Sequence, residues 1–180
     1  MSERQKHGFN FEQYVKEKYQ ITLSNEYTSK WDGVLNTIPV SIKLEQYGSD
    51  IELADYFRNS QIEENFYLIV GFWQGTKDNL IEEYILLING EEYHKLFDLS
   101  FNERFTELLV NISNDKKDDI LWKQQITLLR KEWSKKTSNL IRPRFKRDHK
   151  KQKRIQCAIN NKDFYNYFIP KYNTHIKEAN

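Results

Sequence analysis

The sequence predicts an α/β fold: a central mixed β-sheet flanked by helices, with a helical and basic C-terminal region. Three observations predict it. Apolar residues recur at helical spacing in residues 9–19 and again between residues 91 and 136. They alternate with period two in residues 37–44, as in a half-buried strand. Two nearly unbroken apolar runs, residues 66–73 and 84–88, have the length of strands buried on both faces. At 180 residues, 30% charged and 38% hydrophobic, the chain can bury one sizeable core and reads as a single domain over residues 1–180.

Residues 9–19 predict an amphipathic helix whose core stripe is Phe11, Tyr14, Val15 and Tyr19. Glu12 lies at the border of that stripe, with Lys16 one turn on as an ordinary surface partner. Turn-forming residues follow at Ser24, Asn25, Thr28 and Ser29, and Trp31-Asp32-Gly33 closes the segment. Val34 and Leu35 begin a hairpin that turns at Asn36-Thr37. On its second strand Ile38, Val40, Ile42 and Leu44 point one way and Ser41, Lys43 and Glu45 the other, so Asp32 and Lys43 can lie close across the pair. Tyr47-Gly48-Ser49 breaks the strand. Ser49 or Asp50 then caps a helix starting at Ile51, on which Glu52 and Asp55 share a face.

Beyond the 66–73 strand, residues 74–79 read as a loop and residues 84–88 as a second buried strand ending at Asn89-Gly90. Helices are predicted over residues 91–97, 101–112 and 118–136, the last with Ile120, Leu121, Ile126, Leu129 and Trp133 as its apolar residues. The basic run 142–154 reads as a loop and residues 155–159 as a short strand. Residues 163–169 read as a Tyr- and Phe-rich helix stopped by Pro170.

Net charge of +2 hides an asymmetry: residues 141–180 hold eleven Lys and Arg against three Asp and Glu. The remainder of the chain is acidic, so a polyanionic partner is expected at the C-terminal region. No run of about 18 apolar residues is present, the start is polar from Ser2 to His7, and lone Cys157 has no disulfide partner. These features predict a soluble cytoplasmic protein with no membrane partner. His7, His94, His149 and His175 lack metal-ligand spacing and, like Cys157, read as structural or surface residues.

Asp32 and Lys43 are the best candidates for chemistry. Phosphodiester hydrolysis calls for a divalent cation, and Mg²⁺ takes a few carboxylate oxygens together with water and phosphate. A nearby lysine can orient the attacking water or offset developing negative charge. A third acid should approach from a neighbouring strand or helix.

In Trp31-Asp32 and Ser41-Ile42-Lys43 the chain resembles the PD-(D/E)XK nuclease superfamily, which includes many restriction endonucleases. In that family an Asp precedes or begins one strand of a hairpin, and an acid-X-Lys tripeptide lies on the next. Here Trp31 replaces the proline and Ser41 the tripeptide acid. Some restriction endonucleases of the superfamily carry Ser-X-Lys, with the missing acid supplied by the following helix. The likeness spans residues 8–73 and implies a restriction-endonuclease-like fold with Mg²⁺ as cofactor. It also implies Asp32 with Glu52 or Asp55 as metal ligands, Glu45 as a further alternative, Lys43 as the water-orienting residue and Glu12 as an auxiliary acid. Residues 1–100 would form the catalytic core and residues 101–180 a helical, basic DNA-binding part.

Within the basic run, Arg142, Arg144, Lys146, Arg147, Lys150, Lys151, Lys153 and Arg154 are expected to contact DNA phosphates, and the arginines guanine edges as well. The expected activity is Mg²⁺-dependent cleavage of double-stranded DNA by a homodimeric type II restriction endonuclease. The alternatives are a repair, junction-resolving or transposon-associated nuclease of the same fold, or a non-catalytic DNA-binding protein.

Overall fold

The computed structural model describes residues 3–23, 30–76, 79–112, 118–147 and 153–176. Ser24, Asn25, Thr28 and Ser29, together with His149, Lys150 and Lys151, lie outside them.

The central sheet is mixed and five-stranded, in the order β1 (Thr22–Leu23), β2 (Gly33–Leu35), β3 (Ile38–Gln46), β5 (Phe66–Trp73) and β6 (Leu80–Ile88). The β3–β5 pair is parallel and the others antiparallel. The β2–β3 hairpin turns at Asn36 and Thr37, whose φ values of 48° and 71° give the left-handed pair that matches the twist of the flanking strands.

Strand β5 is buried on both faces, as its apolar run predicts. Leu68, Val70 and Phe72 enter one core and Ile69 the other. Strand β6 is longer than expected and forms a sheet edge, where Leu87 is 36% exposed while Ile85, Leu86 and Ile88 are buried.

Helix α1 (Glu3–Tyr19) covers one face of this sheet through Phe11, Val15 and Tyr19, packed against Val40, Ile42 and Ile69. Gly71 lets it seat closely, since a Cβ there would stand 2.4 Å from the Phe11 ring. Tyr14, expected in the stripe, is 39% exposed and stacks on the side of Phe11 instead.

A second, three-stranded antiparallel sheet, absent from the sequence reading, has the order β4 (Ile51–Asp55), β8 (Lys153–Ile159), β7 (Ile141–Arg147). Two expectations are corrected by it. Residues 51–55 form a strand rather than the start of a helix. Ile51 and Leu53 are buried, and β8 supplies the backbone partners. The helix-capping signal is real but displaced: Asp55, not Ser49 or Asp50, accepts from Arg58 N and caps α2 (Tyr56–Asn59).

The described parts of the basic run, residues 142–147 and 153–154, likewise lie in two paired strands rather than a loop. Ile141, Ile155, Cys157 and Ile159 enter the core, and the residues alternating with them carry the charge.

The apolar face of the second sheet is covered by α4 (Ser100–Asn111) and α5 (Asp119–Lys136), after the short α3 (Gly90–His94). The buried stripe of α5 is Trp122, Ile126, Leu129 and Trp133; Ile120 and Leu121, expected inside, are 70% and 44% exposed. The last helical stretch runs through α6 (Asn161–Asp163), a π-helical turn Phe164–Phe168 and α7 (Ile169–Tyr172). Pro170 does not stop it: the proline sits in the first turn of α7, where its fixed φ suits a helix start.

Strand β4, from the first hundred residues, pairs with β8 from the last thirty, and one core spans both. No helix among the described residues is long and apolar enough to cross a membrane.

Candidate active site

Trp31 anchors the segment before β2, its ring 5.1 Å from that of Phe66. Asp32 N donates to Val40 O (2.9 Å), which extends the hairpin one rung past β2. Because β2 has only three residues, β3 continues past this rung paired with β5 but not with β2, and the Asp32 side chain folds along the β2-side edge. Asp32 Oδ2 accepts from Ile42 N (2.6 Å), Lys43 Nζ (3.2 Å) and Ser41 Oγ (3.4 Å). Lys43 Nζ also donates to Ile42 O (3.0 Å). The second carboxylate oxygen of Asp32 takes no hydrogen bond among the described residues.

Glu12, half-buried on α1, lies within electrostatic reach of the same pair. Burial lifts its carboxyl above the usual carboxylate range, the Asp32 charge lifts it further, and Lys43 pulls it partly back. Two carboxylates under mutual repulsion, one with an unengaged oxygen, fit a hard divalent cation that completes its shell with water and phosphate. Ser41 stands at the tripeptide's acid position, and its hydroxyl is spent on Asp32.

The other proposed acids fall elsewhere. Glu52 lines an open groove of about 700 Å³ that Glu12 and Glu45 also line. Its Oε1 lies 3.8 Å from Lys146 Nζ and 3.9 Å from Arg144 Nε, and its backbone N–H donates to Glu45 Oε1 (3.0 Å). Asp55 is occupied as the cap of α2 and does not line the groove. The segment carrying Glu52 and Asp55 is a strand of the second sheet, not the helix expected to bring them to Asp32. Among the described residues no three His, Cys, Asp or Glu side chains converge as a metal cluster. The acid whose charge Asp32 perturbs is Glu12.

Of the basic residues, Arg144, Lys146 and Arg154 form one wall of the groove. Three others tie the hairpin to its surroundings. Arg142 reaches Asp163 (3.2 Å) and Asn139 O (3.3 Å). Arg147 pairs with Asp119 (2.6 Å) over the Trp122 ring, and Lys153 donates to Ile112 O. Strand alternation sets Arg147 and Lys153 apart, because those positions point to the helix-covered face; Arg142 shares the face of Arg144 and Lys146 and is drawn off by Asp163.

Sequence reasoning missed Asp50, which accepts from Arg144 Nη2, Asn160 Nδ2 (3.1 Å) and Asn161 N (3.0 Å) and so fixes the groove's end. It also missed Trp73 on the groove wall. No local pattern signals either, since their partners are tertiary. Cys157 is buried, which pushes its thiol well above the usual range and keeps it unreactive.

Comparison with protein-family models, curated proteins and solved structures finds no match to this chain.

Proposed function

We propose that this protein is a Mg²⁺-dependent endodeoxyribonuclease hydrolysing phosphodiester bonds in double-stranded DNA, and more finely a sequence-specific type II restriction endonuclease. The observation that carries this reading is the Asp32 carboxylate held 3.2 Å from Lys43 Nζ across the hairpin, with Glu12 within electrostatic reach of both. Asp32 and Glu12 would hold the cation. Mg²⁺ bound there would supply Lewis acidity toward a phosphodiester. Lys43 offsets charge on the scissile phosphate and orients water, while Ile42 N and Ser41 Oγ keep the Asp32 carboxylate in place. Arg144, Lys146 and Arg154 supply cationic contacts to the strand. A homodimer would place two such sites about a twofold axis and cut both strands of a palindrome.

The test is incubation of plasmid DNA with Mg²⁺ and wild-type protein, Asp32→Ala or Lys43→Ala. Discrete fragments from the wild type alone support the reading; equal cutting by all three proteins, or none by any, sinks it. Sedimentation with and without DNA checks the dimer, and a comparison of branched with linear duplexes separates a repair, junction-resolving or transposon-associated role from restriction.

One observation favours a second reading, a non-catalytic DNA-binding protein: Ser41 occupies the acid position and no three-acid cluster forms among the described residues. That reading expects salt-dependent DNA binding with no Mg²⁺-dependent cleavage.

A further inference from the structure

The groove beside Glu12 differs from a surface that follows the outside of a duplex. At about 700 Å³ it falls in the range that encloses a small molecule. Arg144, Lys146 and Arg154 make one wall cationic. Trp73, partly buried at the end of β5, contributes an aromatic surface beside Phe11, the residue whose ring sits on Gly71. Cations together with an aromatic surface are what an unpaired nucleotide can use, its phosphate on the one and its base on the other. A duplex keeps its base faces stacked inside and has nothing to offer Trp73.

Two orphaned atoms point the same way. Among the described residues Glu52 Oε2 and Arg144 Nε are both buried without a hydrogen bond, and the Glu52–Arg144 contact of 3.9 Å is too long to be one. Glu52 therefore stands near the basic wall as a poorly fitting anion, while Asp50 holds the other end of the Arg144 guanidinium, so a phosphate on this wall competes with both carboxylates. Four carboxylates line the groove against three cations, so it is no general polyanion track, and an entering phosphate competes with Glu52.

We propose that the groove binds an unpaired nucleotide of a nucleic-acid strand, with the base against Trp73 and the phosphate on Arg144, Lys146 and Arg154, in competition with Glu52. This rests on the nucleic-acid reading of the groove but not on cleavage.

The experiment is fluorescence anisotropy of the full chain in EDTA with three labelled probes: a short oligothymidine, its oligouridine counterpart and a blunt hairpin duplex. At least one single strand is expected to bind more tightly than the duplex, and the two strands tell DNA from RNA. Trp73→Ala should weaken single-strand binding about tenfold and leave the duplex unchanged, while Trp73→Tyr retains most of the affinity. Arg154→Ala, an exposed change, should lower the salt slope by about one. Glu52→Gln should tighten single-strand binding.

Tighter binding of the duplex than of either strand, equal losses on strand and duplex in Trp73→Ala, weaker single-strand binding in Glu52→Gln, or no binding of any probe overturns the proposal. Plasmid cutting without single-strand preference overturns it and leaves the nuclease reading standing. Trp73-dependent single-strand binding without cutting does the reverse.

Discussion

Glu12 has an ionisation set by its neighbours. Burial and the Asp32 charge raise its pKa in the folded protein, so the folded state holds the proton more tightly than the unfolded chain does. The sign follows from linkage: stability falls as pH rises from the unfolded carboxylate value, about 4.3, through the raised folded one. In Mg²⁺-free buffer, Glu12→Gln should raise the urea midpoint at about pH 7.5 and leave it unchanged at about pH 3.5, where the wild-type carboxyl is protonated in both states. A lower midpoint for the variant at the neutral end would contradict this account. The same variant should lose Mg²⁺-dependent cutting, a gain of stability at the expense of the proposed site. Lys43 works in the opposite direction, since its ammonium pulls the Glu12 pKa partly back down.

The β2–β3 hairpin and strand β4 differ in how far local sequence determines them. The β2–β3 hairpin is specified by its alternation and its two-residue turn, and that local geometry brings Asp32 to Lys43. Thr37 is a β-branched residue at φ 71°, a costly place for it. Thr37→Gly should therefore stabilise the protein by about 0.5–1 kcal/mol, read as a rise in thermal midpoint.

Strand β4 depends on tertiary partners instead. Ala54, at φ 71°, sits where its register against β8 shifts, and the bend is held by Asn59. The amide of Asn59 donates to Leu53 O and Asp55 O (both 2.8 Å), and its Oδ1 accepts from Tyr93 OH (2.8 Å). Tyr93→Phe leaves that buried oxygen without a donor and should cost about 1–2 kcal/mol in chemical denaturation. Asn59→Ala should cost more, because two carbonyls lose their partner at once.

At the scale of the whole molecule, Trp133 is the junction. It is 1% exposed, lies among the rings of Tyr56, Phe101 and Phe105, and donates Nε1 to Ile141 O (2.9 Å). It thereby ties α4, α5 and β7, the strand carrying Arg144 and Lys146, into one core. Trp133→Ala should cost about 3–5 kcal/mol, measured by urea unfolding. A loss under about 1 kcal/mol would show that the second sheet does not depend on this packing.

Periodicity and turn chemistry were enough for the strands around the Asp32–Lys43 contact, the buried β5 run and the bodies of α1, α4 and α5, because each is encoded within a few residues. The second sheet was not legible. Its central strand β8 pairs residues 156–159 with residues 51–55, about a hundred positions away. Within each segment alone, Ile51-Glu52-Leu53 is as compatible with a helix start as with a strand, and a run of arginines and lysines as compatible with a loop. Only the tertiary pairing decided that Glu52 faces the basic wall, that Asp55 is spent on a cap, and that Arg147 and Lys153 turn toward helices. Side-chain direction in a strand alternates by residue, so the role of each charge depends on a register that only the partner strand supplies.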